Sequence, residues 1–276
     1  MSIVVNGKEI QHFNFPGGEC HVRLGDISIG DTVAIIAHLY NADDILRLLL
    51  SVNAIRTVNP HAVIDLTLPY FPYARQDRVC NPGEAFSAKV MADLINSMAL
   101  RQVRICDPHS QITVDLIERC HVIGQADILA GSAVEQLIRE KSLTLISPDK
   151  GAAVRIQPVL HYLQAQGIAA DSCFCTKVRD PLTGEITKTD IPENVAGKDF
   201  IMIDDICDGG RTFIELAKVL KEHGAGALYL YVTHGIFSKG LDVLRPYFNH
   251  VYCLHSFLAP TERDDQFLTM MEYLYA

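Results

Sequence analysis

The chain of 276 residues lacks the sequence features of membrane and secreted proteins. No apolar run is long enough to span a bilayer. The N-terminus, MSIVVNGKEI, has no basic segment followed by an apolar core, so we expect no signal peptide. There is also no short repeat, no low-complexity tract and no linker rich in proline, glycine or serine. We therefore expect a cytoplasmic globular protein with no membrane partner.

Positive charge and metal-type cysteine pairs are also scarce. The 24 Lys and Arg residues are outnumbered by 33 Asp and Glu, and the net charge of −9 argues against a nucleic-acid partner. Any phosphate site must therefore be built from local cations or metal ions. The eight cysteines are scattered, and Cys173-x-Cys175 lacks both zinc spacing and a second pair. They are expected to be reduced thiols, as in cytoplasmic proteins.

Apolar runs of strand length alternate with segments of helical periodicity. The predicted strands are 32–39, 62–68, 102–106, 121–123, 143–147, 173–178, 185–189, 200–203, 228–232 and 251–255. The predicted helices are 42–57, 87–99, 111–119, 132–141, 152–166, 213–223 and 261–275. This alternation predicts an α/β protein with two tandem doubly wound parallel-sheet lobes, residues 1–141 and 142–276. Ligands of such sheets bind beyond the carboxyl ends of strands, where the unusual loops of this chain occur.

The most informative loop follows the apolar run that begins at Phe200. Its sequence, IDDICDGGRT, places two adjacent aspartates and then Asp-Gly-Gly-Arg-Thr before a helix whose stop signal is Gly224. Glycine backbone N–H groups and a helix N-terminus favour an anion, and arginine and threonine add phosphate donors. The aspartates suit vicinal hydroxyls, as on a ribose. The loop therefore predicts a sugar-phosphate site rather than an ordinary acidic β–α turn. The predicted substrate-binding residues are Asp204, Asp205, Asp208, Gly209, Gly210, Arg211 and Thr212.

A second loop, residues 69–86, contains FPYARQDR and ends before Ser87-Ala88-Lys89. Arginines in this loop can hold phosphates, and Gln76 can read a base edge. With the first loop, it resembles the ribose-phosphate pyrophosphokinases (PRPP synthetases), a family with the type I phosphoribosyltransferase fold. We therefore call residues 69–86 the ATP loop and residues 204–212 the sugar-phosphate loop. The resemblance implies that Arg75, Gln76 and Arg78 bind ATP.

Other segments extend the resemblance from about residue 13 to residue 257. Phe15 and Glu19 match residues that contact adenine in the family, although Gly17 replaces an asparagine. His109, after Asp107-Pro108, matches a histidine that binds ATP and its Mg²⁺. The remaining matches are the metal ligand Asp149, the basic residue Arg155, the catalytic pair Lys177 and Arg179, and the motif THGIFS at 233–238.

The resemblance implies transfer of the β,γ-diphosphoryl group of ATP to the anomeric hydroxyl of ribose 5-phosphate, with Mg²⁺, giving PRPP and AMP. It also implies a homo-oligomer. The order DGGRT departs from the family pattern and leaves room for a substituent on the 5-phosphate. ADP-ribose, the acceptor ascribed to phage-type relatives in NAD metabolism, is therefore an alternative. A non-catalytic synthetase subunit and a PRPP-consuming phosphoribosyltransferase are further alternatives.

Overall fold

The computed structural model describes residues 3–148, 150–174, 176–179, 186–190, 195–273 and 275, with backbone alone for 150–153, 176–179 and 186–190. Its contacts divide the chain into two compact units, residues 1–124 with 275–276 and residues 125–274. The sequence instead suggested a boundary at 141. The difference arises because residues 125–141 form two short helices, and the first of them packs on the first long helix of the second unit.

The first unit contains a six-stranded sheet and a separate hairpin. Its strands are β1 (Ile3–Val5), β2 (Lys8–Glu9), β3 (Gln11–Asn14), β4 (Cys20–Arg23), β5 (Thr32–Ala37), β6 (Val63–Leu68), β7 (Gln102–Cys106) and β8 (Cys120–Ile123). Its helices are α1 (Ala42–Val58), α2 (Ser87–Ser97) and α3 (Gln111–Leu116). The sheet order is β2-β1-β5-β6-β7-β8, in which β5 to β8 are parallel, while β3 pairs with β4. Buried aliphatic side chains of these strands and of α1 and α2 form one core.

The second unit has a six-stranded sheet that is parallel throughout. Its helices are α4 (Gln125–Leu129), α5 (Ala133–Lys141), α6 (Lys150–Ala165), α7 (Arg211–Glu222) and α8 (Pro260–Arg263). Its strands are β9 (Thr144–Ser147), β10 (Ser172–Phe174), β11 (Thr176–Arg179), β12 (Ile186–Asp190), β13 (Phe200–Cys207), β14 (Leu228–Gly235), β15 (His250–Ser256) and β16 (Leu268–Met270). The order is β10-β9-β13-β14-β15-β16, and β11 pairs with β12 in a separate hairpin. The fold class, α/β with doubly wound parallel sheets, is confirmed.

The bounds of several predicted elements differ from the structure, and two of these differences change the description of the fold. The predicted helix at 261–275 is wrong, because α8 ends at Arg263 and the apolar residues after it form the edge strand β16 beside β15. The strand predicted to end at Ile203 continues to Cys207, where it still pairs with Gly235. The paired aspartates therefore lie on the carboxyl-terminal end of β13. No helix among the described residues is long and apolar enough to cross a membrane.

Candidate active site

The sugar-phosphate loop begins on a strand that is central in the second sheet. β13 lies between β9 and β14, and its first four residues are buried. Asp204 and Asp205 follow in the same strand, so the sheet holds their backbone in place. The Asp204 carbonyl also accepts a hydrogen bond of 2.9 Å from the side-chain amide of Gln125, on α4. The two carboxylates are thus fixed at the edge where ligands of parallel sheets bind.

The loop then turns into α7 through two glycines with different roles. Gly210 is the N-cap residue and has a φ of +76°, a conformation that favours glycine. A Cβ on Gly210 would lie 2.9 Å from Leu244 Cδ2, whereas one on Gly209 would make ordinary contacts of 3.5 Å or more. Because the Gly210 cap has no side chain, it leaves the backbone N–H groups at the start of α7 open to an anion.

The helix after the loop is amphipathic, as its sequence predicts. The buried residues of α7 are Phe213, Leu216, Ala217 and Leu220. Arg211 and Thr212 occupy its first two positions; the Arg211 side chain is 90% exposed, and its Nε lies 2.7 Å from Glu215 Oε1. The helix therefore packs by one face and presents its first turn, with these donors, at the loop.

Arg155, on α6, pairs with both aspartates. Its Nη2 lies 3.0 Å from Asp204 Oδ1 and its Nη1 2.8 Å from Asp205 Oδ2, while the Asp205 side chain is 3% exposed. Burial raises the pKa of Asp204 well above its ordinary value, and the charge of Asp205 raises it further, against the opposing effect of Arg155. The guanidinium thus offsets negative charge where an anionic substrate is expected to bind.

In the first unit, the ATP loop begins at the carboxyl end of β6. Phe71 and Ala74 are buried and anchor it, whereas Arg75 and Gln76 are exposed. The loop folds back on α2 because Ala88 N donates to the Gln76 carbonyl at 3.2 Å. The predicted ATP contacts are therefore displayed from a loop whose apolar residues lie in the core.

Asp77 is the one buried acidic side chain of the ATP loop among the described residues. Its carboxylate accepts two hydrogen bonds from Arg78, of 2.7 Å from Nε and 3.1 Å from Nη2. These bonds hold the pKa of Asp77 at about 2, with smaller contributions from Ser110 and His109. The structure therefore brings Arg78 and the turn after β7 to the same carboxylate, and His109 lies half-buried on that turn.

Phe15 and Glu19 lie at the tip of the β3–β4 hairpin. Phe15 N donates to the Glu19 carbonyl at 2.8 Å, and the Phe15 side chain is 48% exposed. A Cβ on Gly17 would lie 2.7 Å from Glu19 Oε2, so glycine leaves room for that carboxylate. The hairpin tip thus presents an exposed aromatic ring beside a carboxylate acceptor, which suits the binding of a base.

Asp149, a predicted metal ligand, lies outside the described residues. Lys177 and Arg179, the predicted catalytic pair, are in β11, where their backbone is in register with Thr189 and Ile186 of β12. The described residues contain no cluster of three or more potential metal ligands. Mg²⁺ bound mainly through substrate phosphates needs only one or two protein ligands.

Sequence reasoning missed the part played by Asp77 and Gln125. Asp77 stands next to Arg78 in FPYARQDR, and a carboxylate inside an arginine-rich loop is a signal for an internal ion pair. Nothing in the local sequence links Gln125 to Asp204, since 79 positions separate them and only the fold brings them together.

Each unit thus has cationic side chains or backbone N–H groups beyond the carboxyl ends of parallel strands, an arrangement typical of α/β enzymes that transfer phosphate groups. Two family models match the chain, the N-terminal domain of ribose phosphate pyrophosphokinase at residues 2–99 and the phosphoribosyl synthetase-associated domain at residues 173–244. The chain belongs to the ribose-phosphate pyrophosphokinase family, and the expected enzyme class, a diphosphotransferase, is confirmed.

Individual relatives agree with this assignment. The ribose-phosphate pyrophosphokinase of Hyphomonas neptunium is 33% identical over 230 residues, which cover 81% of this chain and 70% of the relative. That of Shewanella oneidensis is 32% identical with the same coverage. The crystal structure of phosphoribosylpyrophosphate synthetase from Mycobacterium smegmatis matches with a TM-score of 0.76 and 22% identity. It covers 95% of this chain and 85% of that protein, and it supports the fold.

Proposed function

We propose that the protein transfers the β,γ-diphosphoryl group of ATP to the anomeric 1-hydroxyl of ribose 5-phosphate, giving PRPP and AMP. The observation that carries this proposal is the sugar-phosphate loop, with paired aspartates on β13 and an open glycine cap on α7. The acceptor's 1-hydroxyl oxygen forms a bond to the β-phosphorus. The bond from that phosphorus to the oxygen shared with the α-phosphorus breaks, AMP leaves with this oxygen, and the hydroxyl proton passes to solvent.

The acceptor binds through its phosphate and its ring hydroxyls. The 5-phosphate accepts hydrogen bonds from backbone N–H groups at Gly209, Gly210 and the start of α7. Asp204 and Asp205 accept from the two ring hydroxyls. Arg155 supports this arrangement, because without it two buried carboxylates would repel the phosphates nearby.

ATP binds to residues of the first unit. Arg75 and Arg78 neutralise its phosphates, Gln76 reads the adenine edge, and Phe15 and Glu19 contact the base. His109 and Asp149 would hold Mg²⁺, which supplies neutralisation of phosphate charge when bound. Lys177 and Arg179 carry the catalytic charge. Their role is to stabilise the migrating group, since phosphoryl transfer depends on positioning and electrostatics rather than on covalent help.

ADP-ribose is a second candidate acceptor, and one observation favours it. Arg211, at the first position of α7, is 90% exposed, so a substituent on the 5-phosphate would meet solvent and a cation there. The chemistry at the 1-hydroxyl is the same for both acceptors.

The test is AMP release from ATP and Mg²⁺ with each acceptor in parallel. AMP formed with ribose 5-phosphate at the higher kcat/KM is the expected result. A higher kcat/KM with ADP-ribose would identify ADP-ribose as the preferred acceptor, with the same transfer chemistry. No AMP with either acceptor would contradict the proposed transfer and favour the non-catalytic subunit.

A further inference from the structure

Lys239 lies directly beside the sugar-phosphate loop. Its Cγ is 3.5 Å from the position that a Cβ on Gly209 would occupy, and Ser238 Oγ is 3.7 Å from the same position. The motif THGIFS ends at Ser238, so Lys239 is the first residue after it. Both distances are ordinary van der Waals contacts, so the lysine stem packs directly against the loop at Gly209.

Backbone hydrogen bonds fix the segment that carries the lysine. Ile236 N and Phe237 N donate to the Cys207 carbonyl at 2.8 and 3.1 Å, and Ser238 N donates to the Asp208 carbonyl at 3.2 Å. These bonds join the loop after β14 to the loop after β13, because neighbouring parallel strands end at the same edge. The base of the lysine side chain is therefore held in place, while its exposed end can follow a ligand.

Other cations near the sugar-phosphate loop already have carboxylate partners. Arg155 pairs with the two aspartates of β13, and Arg211 pairs with Glu215. Lys239 makes no ion pair within the part of the chain that the structure describes. Its positive charge is thus available to an anion at the glycines.

We propose that Lys239 is a specificity-determining residue that binds the phosphate attached to C5 of the acceptor. The inference rests on the proposed function, since it identifies a further contact in the same acceptor site. An ammonium on a flexible stem acts as a point charge, so it can bind a phosphate monoester or the phosphate of a diphosphate ester. The Ser238 hydroxyl lies beside it as a second donor.

The test compares Lys239→Ala with the wild-type enzyme, using ribose 5-phosphate and ADP-ribose. We expect KM for the acceptor to rise about tenfold, equivalent to about 1.4 kcal/mol, with kcat and KM for ATP unchanged. Lys239→Arg should retain most of the affinity. Lys218→Ala is the matched control, because Lys218 is an exposed lysine of α7 that lies 5.4 Å from the centre of the Tyr247 ring.

The outcomes separate this inference from the proposed function. A rise in KM with both acceptors supports the contact with the phosphate attached to C5, which they share. A rise with ADP-ribose alone would overturn the inference, because the contact would then be to the second phosphate. An unchanged KM for both acceptors would overturn the inference while the transfer stands. If the wild type releases no AMP, calorimetric binding of ribose 5-phosphate decides: weaker binding by Lys239→Ala supports the inference, and equal or absent binding overturns it.

Discussion

Gly210 is the residue of the sugar-phosphate loop whose conformation is most restricted. Its φ of +76° is unfavourable for any residue with a Cβ, and the space beside it is filled by Leu244. Gly209, one residue earlier, has neither restriction. The adjacent glycines therefore differ, because the backbone turn requires glycine at 210, whereas position 209 has room for a side chain.

We predict that Gly210→Ala lowers the free energy of unfolding by about 1–3 kcal/mol, because it adds backbone strain and displaces Leu244. Gly209→Ala, as the control, should change it by less than about 0.5 kcal/mol. Urea denaturation of both variants measures the difference. Equal stabilities would show that the turn tolerates a side chain, which contradicts the geometry described for Gly210.

Arg155 offsets the negative charge of the two aspartates on β13, so the effect of removing it on stability should depend on pH. We predict that Arg155→Gln lowers the free energy of unfolding by about 1–3 kcal/mol at pH 8. This loss is smaller than for a fully buried ion pair, because the Arg155 side chain is 35% exposed. The loss should be smaller at pH 5. In the variant the pKa of Asp204 in the folded protein lies even higher above its unfolded value, so protonation of this carboxylate at low pH removes unpaired charge.

Denaturation at the two pH values tests this prediction, with Arg139→Gln as the control. Arg139 pairs with Glu135 at 2.8 Å but is half-exposed, and its removal should cost less than about 1 kcal/mol at both pH values. A loss for Arg155→Gln that is the same or larger at pH 5 would contradict the account of the aspartate pair.

At the level of elements, the sequence predicts most of the sheets because their strands are buried and apolar. β13 and β14 could be located from their apolar runs, and α7 from its periodicity, cap and stop. The structure of residues 261–275 is harder to predict from the sequence. An edge strand of three residues such as β16 is defined by its pairing with β15 rather than by a pattern of its own.

In the candidate site, too, the features encoded by neighbouring residues could be predicted, and those formed by distant residues could not. Loop motifs identified the glycines and aspartates of 204–212, whose chemistry is encoded in adjacent residues. Three other features depend on contacts between distant segments. They are the ion pairs of Arg155 with both aspartates, the hydrogen bond from the Gln125 amide, and the position of Lys239 beside Gly209. No spacing rule relates those segments, so only the structure could reveal them.

The β11–β12 hairpin is the element that carries the proposed catalytic charge. We predict that Lys177→Ala lowers kcat by about 10²–10³-fold with little change in the Kd for ATP, because the ammonium acts on charge that develops during transfer. Lys188→Ala is the control, since Lys188 lies on β12 in register with Val178. Steady-state kinetics and ATP titration measure both, and an unchanged kcat would remove Lys177 from the mechanism.

At the level of the whole molecule, an acidic chain must bind two highly charged substrates. With a net charge of −9, the protein as a whole repels phosphates, so binding depends on cations and N–H groups placed at individual loops. We propose that each unit supplies its own set, Arg75 and Arg78 in the first, and Arg155, Arg211 and Lys239 in the second. ATP is accordingly proposed to bind to one unit and the ribose phosphate to the other.

The central claim is transfer of a diphosphoryl group rather than a single phosphoryl group. The direct measurement uses ATP labelled at its β-phosphorus, incubated with Mg²⁺ and each acceptor, followed by separation of the nucleotides from the sugar phosphates. We expect the label to move to the 1-position of the acceptor while unlabelled AMP accumulates in equal amount. Label retained in ADP would show transfer of the γ-phosphoryl group alone and would contradict the account.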